Sequence, residues 1–295
     1  MLLAAPPPLV DVKPTRELRT VAPVNELAVD SGRAATLVGT AQAWEYLLVW
    51  SPKGIVLRAT LACDTQESNV VLTANRFAHV CFQGGNYVVT GTVRPLTGRV
   101  ALRAGAPQVT LAGRSGLVAG SVGTAVWRFD VRGRKRLRAY RSPVILEAVD
   151  GRRLLVDRDA KTLDVLSSKG AVVTRVRRRH EGGSAMRGGR VATIAGSRLV
   201  VSGMDGKTLV TRAVAAGAHL EDLDGGLVVY SVETRLHLLR LRDGRDVRLR
   251  FSRQFGYAHA RLSNGALFYA YDQRAGKLGH AGFVDAAHVR ALLAR

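Results

Sequence analysis

The feature that most constrains this chain is a turn signal that returns every 37 to 44 residues. Its markers are Asp30, Ala74, Gly113, Asp150, Arg187, Asp224 and Ser263, each set between two short apolar runs. The unit is clearest at 219–252, HLEDLDGGLVVYSVETRLHLLRLRDGRDVRLRFS. Two apolar runs joined at Asp224-Gly225-Gly226 are followed by a second pair joined at Asp243-Gly244, where glycine supplies the positive φ of a tight hairpin. In the last run Val247, Leu249 and Phe251 alternate with Arg248, Arg250 and Ser252, the period of a strand with one buried face. A second turn marker keeps step, at 51–54, 96–99, 132–134, 168–170, 205–207 and 243–245.

Seven units of four short antiparallel strands overturn the two domains that 295 residues would otherwise suggest. The pattern is similar to the β-propeller superfamily, whose blades bury their faces against one another. The expected fold is therefore all-β, a single seven-bladed β-propeller over 17–284. Regular Gly-His and Trp-Asp pairs, a diglycine repeat and a tryptophan docking motif are not found, so the resemblance does not extend to the WD40, kelch or quinoprotein type, and no functional residues carry over. Residues 258–284 supply three strands of the seventh blade. Either 17–22 from the N-terminal end or 285–293 completes it. The first is preferred, because Ala286, Ala287, Ala291, Leu292 and Leu293 favour a short helix, with Asp285 as its N-cap. Residues 285–295 are then a helix or tail.

Residues 1–16 read as a tail. Leu2-Leu3-Ala4-Ala5 resembles the end of an export signal, and an ordinary frayed terminus is the alternative. The expected location is extracellular or at the cell surface, otherwise cytoplasmic. No apolar run approaches the roughly 18 to 20 residues of a membrane span.

The net charge of +21 raises nucleic acids and other polyanions as partners. The excess is spread over the last two thirds of the chain, and arginine greatly outnumbers lysine, as a GC-rich coding sequence would produce. Its densest stretches are RGRKRLRAYR at 132–141 and RVRRR at 175–179. There Arg132, Arg134, Lys135, Arg136, Arg138, Arg141, Arg175, Arg177, Arg178 and Arg179 would lie on the outer strands of blades three and four. They form either a phosphate-binding patch or a charged guard against edge-to-edge pairing. Tyr140 is the one aromatic residue among them, so a base-stacking platform is poorly supported.

In such a fold the loops leading into the inner strands share a rim with the loops between strands two and three. The candidate ligand residues on that rim are Glu147, His180, Glu181, His219, Glu221, Asp222, Tyr257 and His259. Imidazole and carboxylate together suit proton transfer or ligand binding. Scattered solvated side chains are the plainer reading, since His219 aligns with Ala258 rather than with His259. The two cysteines, Cys63 and Cys81, approach the same rim, as a disulfide clipping blades one and two or as two small buried thiols. They are too few for a thiolate metal site.

Phosphate loops, nucleophile elbows and HExxH are not found. The expectation is a non-catalytic, monomeric scaffold binding a protein or small ligand at the channel rim, without a cofactor. The alternatives are a glycan-directed hydrolase or lyase working in the channel, and a polyanion binder.

Overall fold

The computed structural model describes residues 6–39, 44–60, 69–82, 84–105, 108–130, 133–159, 161–177, 183–252, 254, 256–273 and 278–294. These form seven antiparallel sheets whose strands follow chain order from inside outward. The inner strands are Val24–Asp30, Val70–Thr73, Val109–Arg114, Ile145–Asp150, Ser184–Arg187, Ala218–Asp224 and Ala258–Ser263. Each packs beside the next, and the seventh packs beside the first. The result is a closed, seven-bladed β-propeller. Apolar faces fill the spaces between blades, from the Trp50 and Phe268 contact between blades one and seven to Phe251 against Tyr269 and Tyr271 between six and seven.

The N-terminal strand closes the ring. Arg16–Thr20 pairs antiparallel with Leu278–Val284 as the outer strand of blade seven, with Arg16 opposite Phe283 and Thr20 opposite Gly279. Residues 286–292 are the expected helix, and Asp285 accepts from the backbone N–H of Ala287 and His288. One element departs from the sequence reading. Leu9–Asp11, read above as tail, lies parallel to Asp246–Arg250 as a fifth strand of blade six. Val10 and Val12 are buried there, and Asp11 takes two hydrogen bonds from Arg250. Among the described residues no helix is long and apolar enough to cross a membrane.

Closure also engages a buried polar cluster. The Glu17 carboxylate accepts from the hydroxyls of Tyr269 and Tyr271 at 3.1 and 3.1 Å and lies 3.2 Å from His280 Nδ1. Blade six repeats the arrangement on the same three strands. Tyr230 donates to Asp246, His237 stacks on Tyr230 at 4.7 Å, and His237 Nδ1 lies 3.4 Å from Asp246. The ring of Tyr269 needs Gly282 beside it, because a Cβ there would lie 2.0 Å from the ring.

The recurring turn signal also has a structural basis. Aspartates ending three inner strands grip the first turn of the following blade. Asp30 Oδ2 accepts from Thr73 Oγ1 and Ala74 N at 3.0 and 3.0 Å, and from Ser115 N of blade three at 3.1 Å. Asp150 takes Gly189 N at 3.4 Å, and Asp224 takes Gly265 N at 3.0 Å. In blade two the turn places Ala74 at φ 48°, a left-handed conformation that costs an L-residue about 1–2 kcal/mol. Ala74→Gly is therefore expected to raise stability by about 1 kcal/mol, net of glycine's entropy cost. A higher urea midpoint with an unchanged slope would bear this out, and a lower midpoint would contradict it.

Candidate functional site

The axial channel is a cup of about 360 Å³. Its floor forms where the inner strands enter their first turns. The residues there, from blade one to blade seven, are Asp30, Thr73, Arg114, Asp150, Arg187, Asp224 and Ser263. Two of them cross the channel. Arg114 of blade three reaches the carbonyl of Leu262 in blade seven at 2.9 Å and Asp222 of blade six at 3.7 Å. Arg187 of blade five donates to the same carbonyl at 2.6 Å and pairs with Asp224 at 3.1 Å. Burial, together with the nearby Arg114 charge, lowers the pKa of Arg187, and Asp224, Asp222 and Asp150 oppose that shift.

The wall carries three glutamates, each at an irregularity of an inner strand. The register slips between Asn25 and Ala28, between Leu146 and Ala148, and between Leu220 and Asp222, which leaves Glu26, Glu147 and Glu221 at the slips. A β-bulge leaves an extra residue outside the ladder and re-aims its side chain. All three line the cup.

Glu221 is held tightly. Ser231 Oγ donates to it at 3.0 Å, Arg261 Nη1 donates at 3.0 Å, and His219 Nδ1 lies 3.9 Å away. Burial pushes its carboxyl up, but His219, Arg261, His259 and Ser231 outweigh that and hold it at about 2. His219, largely exposed at the cup, has its pKa raised by Glu221 in return. Its imidazole sits against Gly183, where a Cβ would lie 3.1 Å from the ring. Glu26 behaves oppositely. Burial and the Glu221 charge raise its pKa, and the cations at His259 and Arg261 only partly offset this.

Of the residues expected at the rim, Glu147, His219, Glu221 and Asp222 line the cup. His259 is half-buried on the inner strand of blade seven, near Glu26 and Glu221. Tyr257 is 70% exposed just before that strand and is not part of the lining among the described residues. His180 and Glu181 lie outside the described residues. Glu26, Arg261 and Arg114 were not singled out in the sequence and Arg187 only as a turn marker, although E-x-x-D at 147–150 and 221–224 and E-x-x-x-D at 26–30 mark the glutamates.

Many arginines bind blades to one another through backbone carbonyls. Arg16 reaches Pro52, Arg76 reaches Phe129, Arg190 reaches Gly225 and Arg212 reaches Leu241, at 3.1, 2.8, 3.2 and 2.8 Å. Within the expected basic patch, Arg134 bonds Ala101 O of blade two, Arg138 bonds Gly170 O of blade four, and Arg175 pairs with Asp164. Tyr140 donates to Asp164 at 3.2 Å and is half-buried. Lys135, Arg136, Arg141 and Arg177 are exposed. Arg132, Arg178 and Arg179 lie outside the described residues.

Cys63 also lies outside them, so its bond to Cys81 is carried forward as a proposal. Cys81 is buried 3.5 Å from His79 Nδ1, beside a cavity of about 460 Å³ between blades one and two. Burial lowers the pKa of His79 to about 4, so its imidazole is neutral there. A disulfide predicts that alkylation of unfolded protein adds no mass until a reductant is present. Two thiols alkylated without reductant would dismiss it. Among the described residues no group of three or more His, Cys, Asp or Glu side chains is placed to hold a metal ion.

No family model matches the chain, and no curated protein matches it in sequence. Solved structures match in fold. A chain of the Mitotic Checkpoint Complex aligns with a TM-score of 0.64 and 13% identity, covering 96% of this chain and 98% of that one. BamB from Moraxella catarrhalis aligns at 0.55 and 12%, covering 88% and 84%. The computationally designed Ika8 protein aligns at 0.58 and 12%, covering 88% and 83%. With the strand order described above, these likenesses identify the chain as a seven-bladed β-propeller.

Proposed function

We propose that this propeller is a non-catalytic binding module whose ligand, a small molecule or a side chain projecting from a partner protein, enters the cup in its channel. The observation that carries this reading is the gathering of charged side chains from blades one, three, four, six and seven around one space, with Arg114 of its lining reaching across to the Leu262 carbonyl. A structural plug would be apolar, and a solvated channel would not need three bulges to aim glutamates inward. The fold neighbour taken from the Mitotic Checkpoint Complex is part of an assembly, which agrees with a binding role.

Hydrolysis of a glycan has one observation in its favour, the opposed pKa shifts of Glu26 and Glu221 in one cavity. Against it, Glu221 is saturated by Ser231 and Arg261 and held at about 2. So weak a base, already paired, is poorly suited to accept a proton or attack a sugar. The polyanion reading retains Lys135, Arg136, Arg141 and Arg177, while Arg134, Arg138 and Arg175 already have partners within the fold. Export stays with the reading of the N-terminus and the cysteine pair.

A displayed library of random dodecapeptides, selected on the folded protein, separates the cup from the outer face. Enriched peptides are expected to lose binding to Glu147→Lys and to keep it when Lys135, Arg136 and Arg177 are changed to glutamate. Peptides with the reverse dependence would replace the cup with the outer strands.

A further inference from the structure

We propose that the group this cup takes is cationic, an alkylammonium or alkylguanidinium such as a lysine or arginine side chain presents. The inference rests on the reading of the cup as a binding site and adds the chemistry of its guest.

The first argument is a reversal of sign. The protein as a whole carries +21. The cup lining sets four carboxyl groups, Glu26, Glu147, Glu221 and Asp222, against two guanidiniums, Arg114 and Arg261, a formal −2 once all four are ionised and the imidazoles neutral. Low-dielectric walls focus such a field on the open end. An anionic guest would meet this potential after crossing a surface that attracts it elsewhere. A cation repelled by the rest of the surface finds its minimum in the cup.

The second argument is where the carboxylates come from. Glu26, Glu147 and Glu221 enter from blades one, four and six, well separated around the ring, and each sits at a strand irregularity. Three independent distortions aimed at one space are hard to attribute to packing, since an extra residue in a strand breaks ladder hydrogen bonds. Asp222 accepts from Leu223 N and Leu262 N and faces Arg114, which ties it to the floor. Higher on the wall the Ser184 hydroxyl is shielded from solvent and has no hydrogen-bond partner. It offers a further acceptor to an N–H donor.

The third argument is volume. About 360 Å³ admits an extended lysine or arginine side chain with a few waters, counting roughly 30 Å³ for each water. The raised pKa of Glu26 follows the same logic. A guest cation beside the Glu26 carboxyl would favour its ionised form and release a proton. Facing the guest are also His219, which weakens binding when protonated, and the fixed charges of Arg114, Arg261, Glu147, Glu221 and Asp222. Affinity should therefore rise with pH as Glu26 and His219 lose their protons.

The test uses the whole chain labelled with 13C at its methionine methyls, because Met186 lies in the cup wall. The probes are Nα-acetyl-lysine methylamide and Nα-acetyl-arginine methylamide, with the neutral citrulline analogue as control. Putrescine and agmatine ask whether a free amine serves as well as a peptide-borne one. The expected result is a saturable shift of the Met186 methyl by both cationic derivatives. The citrulline analogue should bind at least about tenfold more weakly. Glu26→Gln and Glu147→Gln should each weaken cation binding several-fold, and proton release should fall in Glu26→Gln. Citrulline binding as tight as arginine would overturn the cationic guest and leave the cup as a site. Silence of every probe, while selected peptides still depend on Glu147, would do the same. Peptides that ignore Glu147 would remove the cup reading itself.

Discussion

Glu17→Ala is expected to cost about 4 kcal/mol of folding stability, because one carboxylate serves two buried hydroxyls and a buried imidazole. Tyr269 and Tyr271 both donate to Glu17 Oε1, and His280, 1% exposed, lies 3.2 Å from Oε2. Removing the acceptor takes away the hydrogen bond that each hydroxyl makes to Glu17 and the carboxylate beside His280. Burial, with the nearby Glu17 charge, already pushes the Tyr269 hydroxyl far above its ordinary value, so ionisation offers no relief. The loss falls on the strand that closes the ring, so unfolding should also become faster. Glu17→Gln keeps an acceptor of the same shape and should recover roughly half the loss. Urea unfolding followed by tryptophan fluorescence measures both. A Glu17→Ala protein within about 1 kcal/mol of wild type would mean that closure does not depend on this cluster.

The second large effect is a pair of opposite pH dependences from two carboxylates in one cup. Glu221 falls from an ordinary value of 4.5 to about 2 on folding, which corresponds to about 3 kcal/mol. A depressed acid stabilises the fold above its unfolded pKa and loses that contribution as pH drops through the folded one. Glu221→Gln should therefore cost about 3 kcal/mol at pH 7 and almost nothing near pH 2. Glu26 has the opposite sign. Its raised pKa favours the protonated form in the fold, so its contribution is present below the unfolded value and is lost as pH rises. Glu26→Gln should accordingly be more stable than wild type at neutral pH. Urea melts at pH 3, 5 and 7 separate the two. Parallel curves for both variants would show that the carboxylates do not sit in opposed environments. The pair also indicates why evolution would tolerate Glu26, since stability given up at a site is commonly the cost of a function located there.

Much of the fold was legible in the sequence because a propeller is one structural decision made seven times. Asp30, Asp150 and Asp224 stood out as turn markers, and the structure gives them a reason, since each holds the turn of a later blade. Ala74 and Gly113 missed the strand-ending positions by one residue. The ring residues are Thr73 and Arg114, whose types break the aspartate pattern. The fifth strand at Leu9–Asp11 was hidden by its brevity and by three prolines ahead of it.

The site was less legible. Glu147 and Glu221 were found as equivalents, while Glu26 escaped because blade one's irregularity spans one residue more, turning E-x-x-D into E-x-x-x-D. Arg114 read as part of a general arginine excess and Arg187 only as a turn marker, and only the closed ring brings them to the carbonyl of Leu262. The two histidines are placed differently. His219 lines the cup and is largely exposed, while His259 is half-buried and is not among the lining residues.

The central claim is that binding occurs in the cup rather than on the outer strands. Its most direct measurement is the dissociation constant of the tightest selected peptide on three proteins: wild type, Glu147→Lys, and the variant with Lys135, Arg136 and Arg177 changed to glutamate. The account predicts a loss of at least about tenfold in Glu147→Lys and a change of less than about twofold in the outer variant. An unchanged constant in Glu147→Lys with a large loss in the outer variant would contradict it.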